Sequence, residues 1–362
     1  MNDSLLSKTI SYLRFPLIVG VVFIHSNILV VKIQGEVIRF DYWPFVTFIM
    51  NLFSSVFADV CVPLFFFISG FLFFYNSDFT KETYLVKLKK RIKSLLVPYL
   101  IWNFVGFILL LIYVHPKVLR FFPLLNNYRV DIVSFLSSFW VTNLPISMSG
   151  PANPINTPLW FIRDLMVLVV LSPIIWWLIK KAKVVFIIAL GFIWFFTLGQ
   201  YIGFPGLCHQ SLFFFPLGAY FGINKINFVE NIQKYPWLPI VYIVLAIIDA
   251  LSEKDYYNII HNSEILLGMA AAVYVSSYLL KKEKVVVNEF LMSASFFVYA
   301  LHNLFLGKMT KIVVMLTKPE SPVFVLLIYF LMPAIAILIC LGLYKAIRRY
   351  SPALCALLTG GR

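Results

Sequence analysis

Arg14 and His25 stand eleven residues apart in one apolar stretch, YLRFPLIVGVVFIHSNILVV (Tyr12–Val31). Read as a helix at ~100° per residue, that spacing returns both side chains to nearly the same face, roughly 16 Å apart along the axis. A guanidinium is a fixed cation whose donors suit phosphate. An imidazole is the usual base for a hydroxyl, which is a weak nucleophile at neutral pH. Together they suit acyl transfer, with an anionic donor held at Arg14 while its far end reaches His25. Each residue also has a plainer reading. Arg14 serves equally as an interfacial anchor, and His25 as a neutral core histidine. Ionisable residues inside a span are functional-site candidates by default.

Other polar residues interrupt other apolar runs. Asp59 lies in the middle of Pro44–Tyr75. A carboxylate can hold an imidazole in one tautomer and steady its charged form, and Asp59 is the candidate for that role by depth. Arg163 and Asp164 lie one to two turns into a fourth apolar run, His209 and Gln210 open a sixth, and His302 lies within a ninth. The alternatives are an interfacial ion pair for Arg163–Asp164 and a helix–helix hydrogen bond for His302. His115 and His261 read as residues at loop edges. No GxSxG elbow, HExxH pair or glycine-rich phosphate loop occurs.

The elements that position these residues must be membrane helices. Of 362 residues, 61% are hydrophobic and 13% charged. Soluble domains lie nearer ~45–50% and ~25%. The apolar runs are too long for barrel strands, so the expected fold is all-α, a polytopic bundle of about ten transmembrane helices. The long run Pro44–Tyr75 is expected to break near Asp59–Pro63. A piece around Ile132–Val141 reads as interfacial or re-entrant, and Asn143–Thr157 as an ordered external loop.

The net charge of +14 does not point to nucleic acid. Its basic residues cluster between apolar runs, at Lys81–Lys93, Lys180–Lys183, Lys281–Lys284 and Lys345–Arg349. That is the positive-inside pattern, and it places both termini in the cytoplasm and the protein in the cytoplasmic (inner) membrane. Cys61, Cys208, Cys340 and Cys355 form no CxxC pair, so neither a disulfide framework nor a metal site is legible. Residues 1–362 read as a single integral-membrane domain with no soluble extracytoplasmic domain.

Five blocks, in order, resemble the acyltransferase family 3 of multi-pass membrane proteins. They are LRFPLIVGVVFIHS, DVCVPLFFFISGFLFF (Asp59–Phe74), PLWFIRDL (Pro158–Leu165), FFPLGAYFG (Phe214–Gly222) and SFFVYALH (Ser295–His302). The resemblance implies an O-acyltransferase that takes an acyl group, usually acetyl, from acetyl-CoA or another acyl-CoA bound from the cytoplasm. The implied acceptor is a hydroxyl of a sugar or lipid-linked glycan. It implies that Arg14 binds the donor and His25 is catalytic, and it makes Trp160, Arg163 and His302 substrate-site neighbours. No metal is implied. Two departures stand out. The chain ends soon after the last span, without the hydrolase-like domain that some members carry. Phe296–Phe297 stands where many members have smaller or more polar residues, which leaves the acceptor open. The competing expectations are a proton-coupled transporter using the His/Asp/Arg cluster, or a sensor with a polar core.

Overall fold

The computed structural model describes residues 3–33, 36–75, 78–115, 130–142, 153–196, 205–252 and 259–361. Most of the loop expected outside the membrane, residues 143–152, lies beyond them, as does the end of the expected fifth span.

The first helix, α1 (Asp3–Ile24), begins and ends about eight residues earlier than the apolar stretch suggests. Its buried stripe is Leu6, Ile10, Leu13, Leu17 and Val21, an i, i+3/i+4 pattern that starts among polar residues. The helix stops because its end tightens. The His25 N–H bonds Val22 O at 3.2 Å and the Ser26 N–H bonds Phe23 O at 3.0 Å, both three residues back. Asn27 then accepts the Leu29 N–H at 2.9 Å, turning the chain out. Val30 and Val31, expected in the first span, are instead in β1 (Val30–Ile33), paired antiparallel with β2 (Glu36–Arg39) in the register Val30↔Arg39 to Ile33↔Glu36. β-Branched residues favour that outcome.

The second run forms α2 (Pro44–Asn51), a π-helical turn (Leu52–Phe57) and α3 (Cys61–Phe74). The expected break before Pro63 is therefore present. The basic helix α4 (Lys81–Arg91) leads through a second π-helical turn (Ile92–Leu96) into α5 (Val97–Tyr113). The expected interfacial piece is the short α6 (Ile132–Ser137). There follow α7 (Trp160–Phe195), α8 (His209–Ile223), α9 (Phe228–Ile232) and α10 (Leu238–Leu251). The chain ends with α11 (Ile259–Lys281), α12 (Glu289–Thr317), α13 (Pro322–Tyr350) and α14 (Pro352–Thr359).

Among the described residues, seven helical stretches are long and apolar enough to cross a membrane. The all-helical, multi-pass character holds, while the count of about ten is not established by length alone. One of the seven, Thr157–Phe195, changes direction at Lys183, whose φ is 50° and ψ −131°. α8 and α10 are shorter apolar helices.

α1 packs against α3, α11 and α12, and α3 packs against α8. The α3–α8 approach is backbone on backbone. A Cβ at Gly218 would stand 1.9 Å from the Phe67 carbonyl oxygen, and one at Gly70 would stand 2.1 Å from that of Phe215. Glycine on both helices is what permits the contact, as in other small-residue helix pairs.

Candidate active site

The end of α1 is fastened from two sides. Ser54, in the π-helical turn after α2, donates its hydroxyl to the Phe23 carbonyl at 2.7 Å. With the serine proton so used, the Tyr329 hydroxyl of α13 donates to Ser54 Oγ, also at 2.7 Å. Val22 O accepts the Ser26 hydroxyl as well as the His25 N–H. Two of the last-turn carbonyls of α1, which a helix leaves unsatisfied, are thus satisfied by this network. The Phe23 ring packs against Phe53, Tyr329 and Phe330.

His25 follows directly. It is half-buried, and its imidazole makes no hydrogen bond among the described residues. Its ring stands next to that of His302, centroids 5.4 Å apart and planes inclined by 42°. His302 is fully buried. Its Nδ1 lies 3.0 Å from the Val298 carbonyl, which can only accept, so the proton is on Nδ1. Nε2 is therefore a bare lone pair, buried without a hydrogen-bond partner. His302 is the fourteenth of the 29 residues of α12, which puts the pair level with the middle of that span. The non-helical chain just after α1 thus lies level with the middle of α12. Such backbone is tolerated in a membrane only where protein covers it or it lines a cavity.

Arg14 lies in α1 about 16 Å before His25, at the helix rise. It is half-buried. Among the described residues it forms no ion pair and no hydrogen bond. A guanidinium within a span calls for an anion.

Trp160 opens α7, held beside the His302 turn. The Tyr299 hydroxyl donates to the Pro158 carbonyl, and Asn156 Nδ2 donates to the Ala300 carbonyl at 2.8 Å. Asn103 of α5 accepts the Asn156 N–H at 3.2 Å. Trp160 itself packs near Phe66, with centroids 6.1 Å apart.

Two expected site residues stand elsewhere. Arg163 is buried and binds Asp164 through Nε and Nη2 at 3.1 and 3.0 Å, and the Trp140 carbonyl through Nη1 at 2.7 Å. Asp164 in turn accepts the Cys208 N–H at 2.9 Å. These contacts tie α7 to the start of α8 and to the chain after α6. Asp59 was expected to orient His25. Its carboxylate instead lies 3.6 Å from Nε2 of His261, toward α10 and α11. Depth alone suggests Asp59 as the partner of His25. Which neighbour a side chain faces also depends on rotation about the helix axis, which the π-helical turn just before Asp59 alters. What the sequence reading missed is the Ser54–Tyr329 clasp. Its signal was present, since both are polar residues inside apolar runs, which must find partners.

The Acyltransferase domain family model matches residues 8–344. The succinoglycan biosynthesis protein ExoH of Rhizobium meliloti is 27% identical over 375 residues, covering 99% of this chain and 94% of that protein. No solved structure matches. Nothing in these findings supports a transporter. With its apolar helices, the Arg14–His25 spacing and this match over nearly its whole length, the chain belongs to acyltransferase family 3 and is a multi-pass membrane acyltransferase.

Proposed function

We propose that the protein is an O-acyltransferase that moves an acetyl group from cytoplasmic acetyl-CoA to a hydroxyl of an extracytoplasmic glycan or its lipid-linked precursor. The observation that carries this reading is the juxtaposition of a His25 imidazole that makes no hydrogen bond among the described residues with the bare Nε2 of His302, about 16 Å along α1 from an Arg14 that has no ion pair among the described residues. The glycan acceptor is supported by the similarity to a succinoglycan biosynthesis protein.

In this mechanism Arg14 holds phosphate of the donor, and the extended pantetheine arm lies along α1 with the thioester at His25. His302 Nε2 accepts a ring N–H from His25 after a small rotation of that ring. The other His25 nitrogen is then a free base, the arrangement a carboxylate provides in hydrolase triads. His25 takes the acceptor proton as the oxygen attacks the thioester carbonyl. The C–O bond forms, the C–S bond breaks, and the thiolate leaves and is reprotonated by the imidazolium. Trp160 packs beside the acceptor. Arg163 acts on the acceptor side by holding the chain around Trp140.

Purified protein in detergent should release free thiol from acetyl-CoA only when polysaccharide is added, with an acetyl ester on the glycan by mass analysis. Bulkier and acidic acyl-CoA thioesters, tested side by side, decide the acyl group. Absence of glycan ester with every thioester would overturn the reading.

The same proposal threads ten crossings with both termini cytoplasmic, counting Thr157–Phe195 as two passes joined at the lysines around Lys183, and α8 and α10 as one each. Cys61, Cys340 and Cys355 are buried and Cys208 is half-buried, so labelling background is low. Asn153→Cys should react with an impermeant maleimide on intact cells, and Lys282→Cys only after permeabilisation. The opposite pattern would reverse the threading.

A further inference from the structure

A second polar cluster lies beside the first, where α10, α11 and the break between α2 and α3 meet. His261 is clamped between two carboxylates, Nδ1 at 2.9 Å from Asp249 Oδ2 and Nε2 at 3.6 Å from Asp59 Oδ2. One turn along α11, Glu264 is fully buried, and neither of its oxygens has a hydrogen-bond partner. The Tyr242 hydroxyl is near it but outside hydrogen-bonding geometry. One donor atom each from Asp249, His261 and Glu264 can be chosen so that all lie within 4.8 Å of one another. Neither Asp249 nor Glu264 has a lysine or arginine partner among the described residues.

Three carboxylates around one imidazole carry more negative charge than His261 can balance. Burying uncompensated carboxylates costs several kcal/mol each, on the order seen for unpaired ions in protein interiors. Either the acids are neutral, or a cation belongs among them. A neutral buried acid needs well-formed hydrogen bonds, and among the described residues neither Glu264 oxygen has one. We propose that Asp249, His261 and Glu264 bind a divalent first-row cation, with Asp59 as outer partner of the histidine. Mixed imidazole and carboxylate donors suit Zn²⁺ or Mn²⁺, with bonds of ~2.0–2.2 Å, which a contraction of about 1 Å of this donor set provides. An outer carboxylate on the other ring nitrogen of a ligating histidine is the usual companion of such a site. The cation ties the α10–α11 hairpin to the helix break that also presents Ser54 to the end of α1. Through that clasp it stabilises the position of His25.

The test uses Zn²⁺ alone on full-length protein in detergent, stripped with chelator and assayed by metal content after dialysis and by thermal unfolding. Wild-type protein should retain about one Zn²⁺ per chain, and Zn²⁺ should raise its unfolding temperature. Glu264→Gln keeps the shape and removes the charge. It should weaken Zn²⁺ affinity roughly tenfold or more, the scale of losses at such sites, and lose the thermal increment. Should that variant not fold, Asp249→Asn on the neighbouring helix carries the same expectation. Wild-type protein that retains no Zn²⁺ and is unaffected by it would overturn the proposal, as would unchanged affinity in a folded Glu264→Gln or Asp249→Asn variant.

Discussion

His25→Ala should insert, fold and purify like the parent protein yet transfer acyl groups 10²–10⁴-fold more slowly, the usual cost of losing a general base. The two halves of that expectation rest on different atoms. Folding at this point depends on backbone carbonyls: Phe23 O held by Ser54, and Val22 O held by Ser26 and by the residue 25 N–H, which alanine retains. The imidazole makes no hydrogen bond among the described residues, so its removal strands no buried partner. In the proposed mechanism catalysis depends on the imidazole, the one base in the pair that is only half-buried. The measurement is the initial rate of acceptor-dependent thiol release, with size-exclusion behaviour as the folding control. His302→Ala should be milder, since in the proposed mechanism His302 orients His25 and does not take the proton. Near-complete loss in His302→Ala with substantial turnover in His25→Ala would reverse the assignment. If both retain activity, histidine-assisted acyl transfer fails. Asp59→Asn separates the two candidate partners of His25. A loss that leaves metal binding intact would return Asp59 to the catalytic histidine, against its observed contact with His261.

The sequence made the membrane class, the helical architecture and the Arg14–His25 spacing legible, because each follows from composition or from a count along one chain. The break before Pro63 was legible for the same reason. What was not legible depends on phase and on partners. The stretch Tyr12–Val31 is apolar on both sides of His25–Asn27, and hydropathy alone does not distinguish the helical part from the β-branched hairpin that follows. A π-helical turn leaves no mark in composition, yet it decides which way Asp59 points. Arg163 and Asp164 are adjacent in sequence, and whether they face a substrate or one another is a matter of rotamers that the sequence does not carry. His302 drew notice as a histidine in a span, but its role depends on which nitrogen holds the proton. That was set by the Val298 carbonyl one turn back on its own helix.

Arg14→Ala should weaken acyl-CoA binding by one to two orders of magnitude while leaving acceptor affinity nearly unchanged. A charge-assisted hydrogen bond contributes about 1.5–3 kcal/mol, and 1.4 kcal/mol is a factor of ten. The physical basis is the isolation of this cation. A half-buried guanidinium in the middle of α1, with no carboxylate beside it among the described residues, is stabilised when an anion arrives. It is also on the side of the paired histidines nearer the start of α1, the end that is cytoplasmic in the proposed threading and so faces the proposed acyl-CoA donor. Arg14→Lys should restore only part of the affinity, because an ammonium keeps the charge but not the planar fork that grips two phosphate oxygens. Since Arg14 has no ion-pair or hydrogen-bond partner to strand among the described residues, the alanine variant should be no less stable than the parent in the absence of ligand. Calorimetric titration with coenzyme A, and separately with the glycan acceptor, measures both affinities directly. Unchanged coenzyme A affinity in Arg14→Ala would remove the donor from α1. A loss confined to the acceptor would reverse the direction in which the two substrates approach His25.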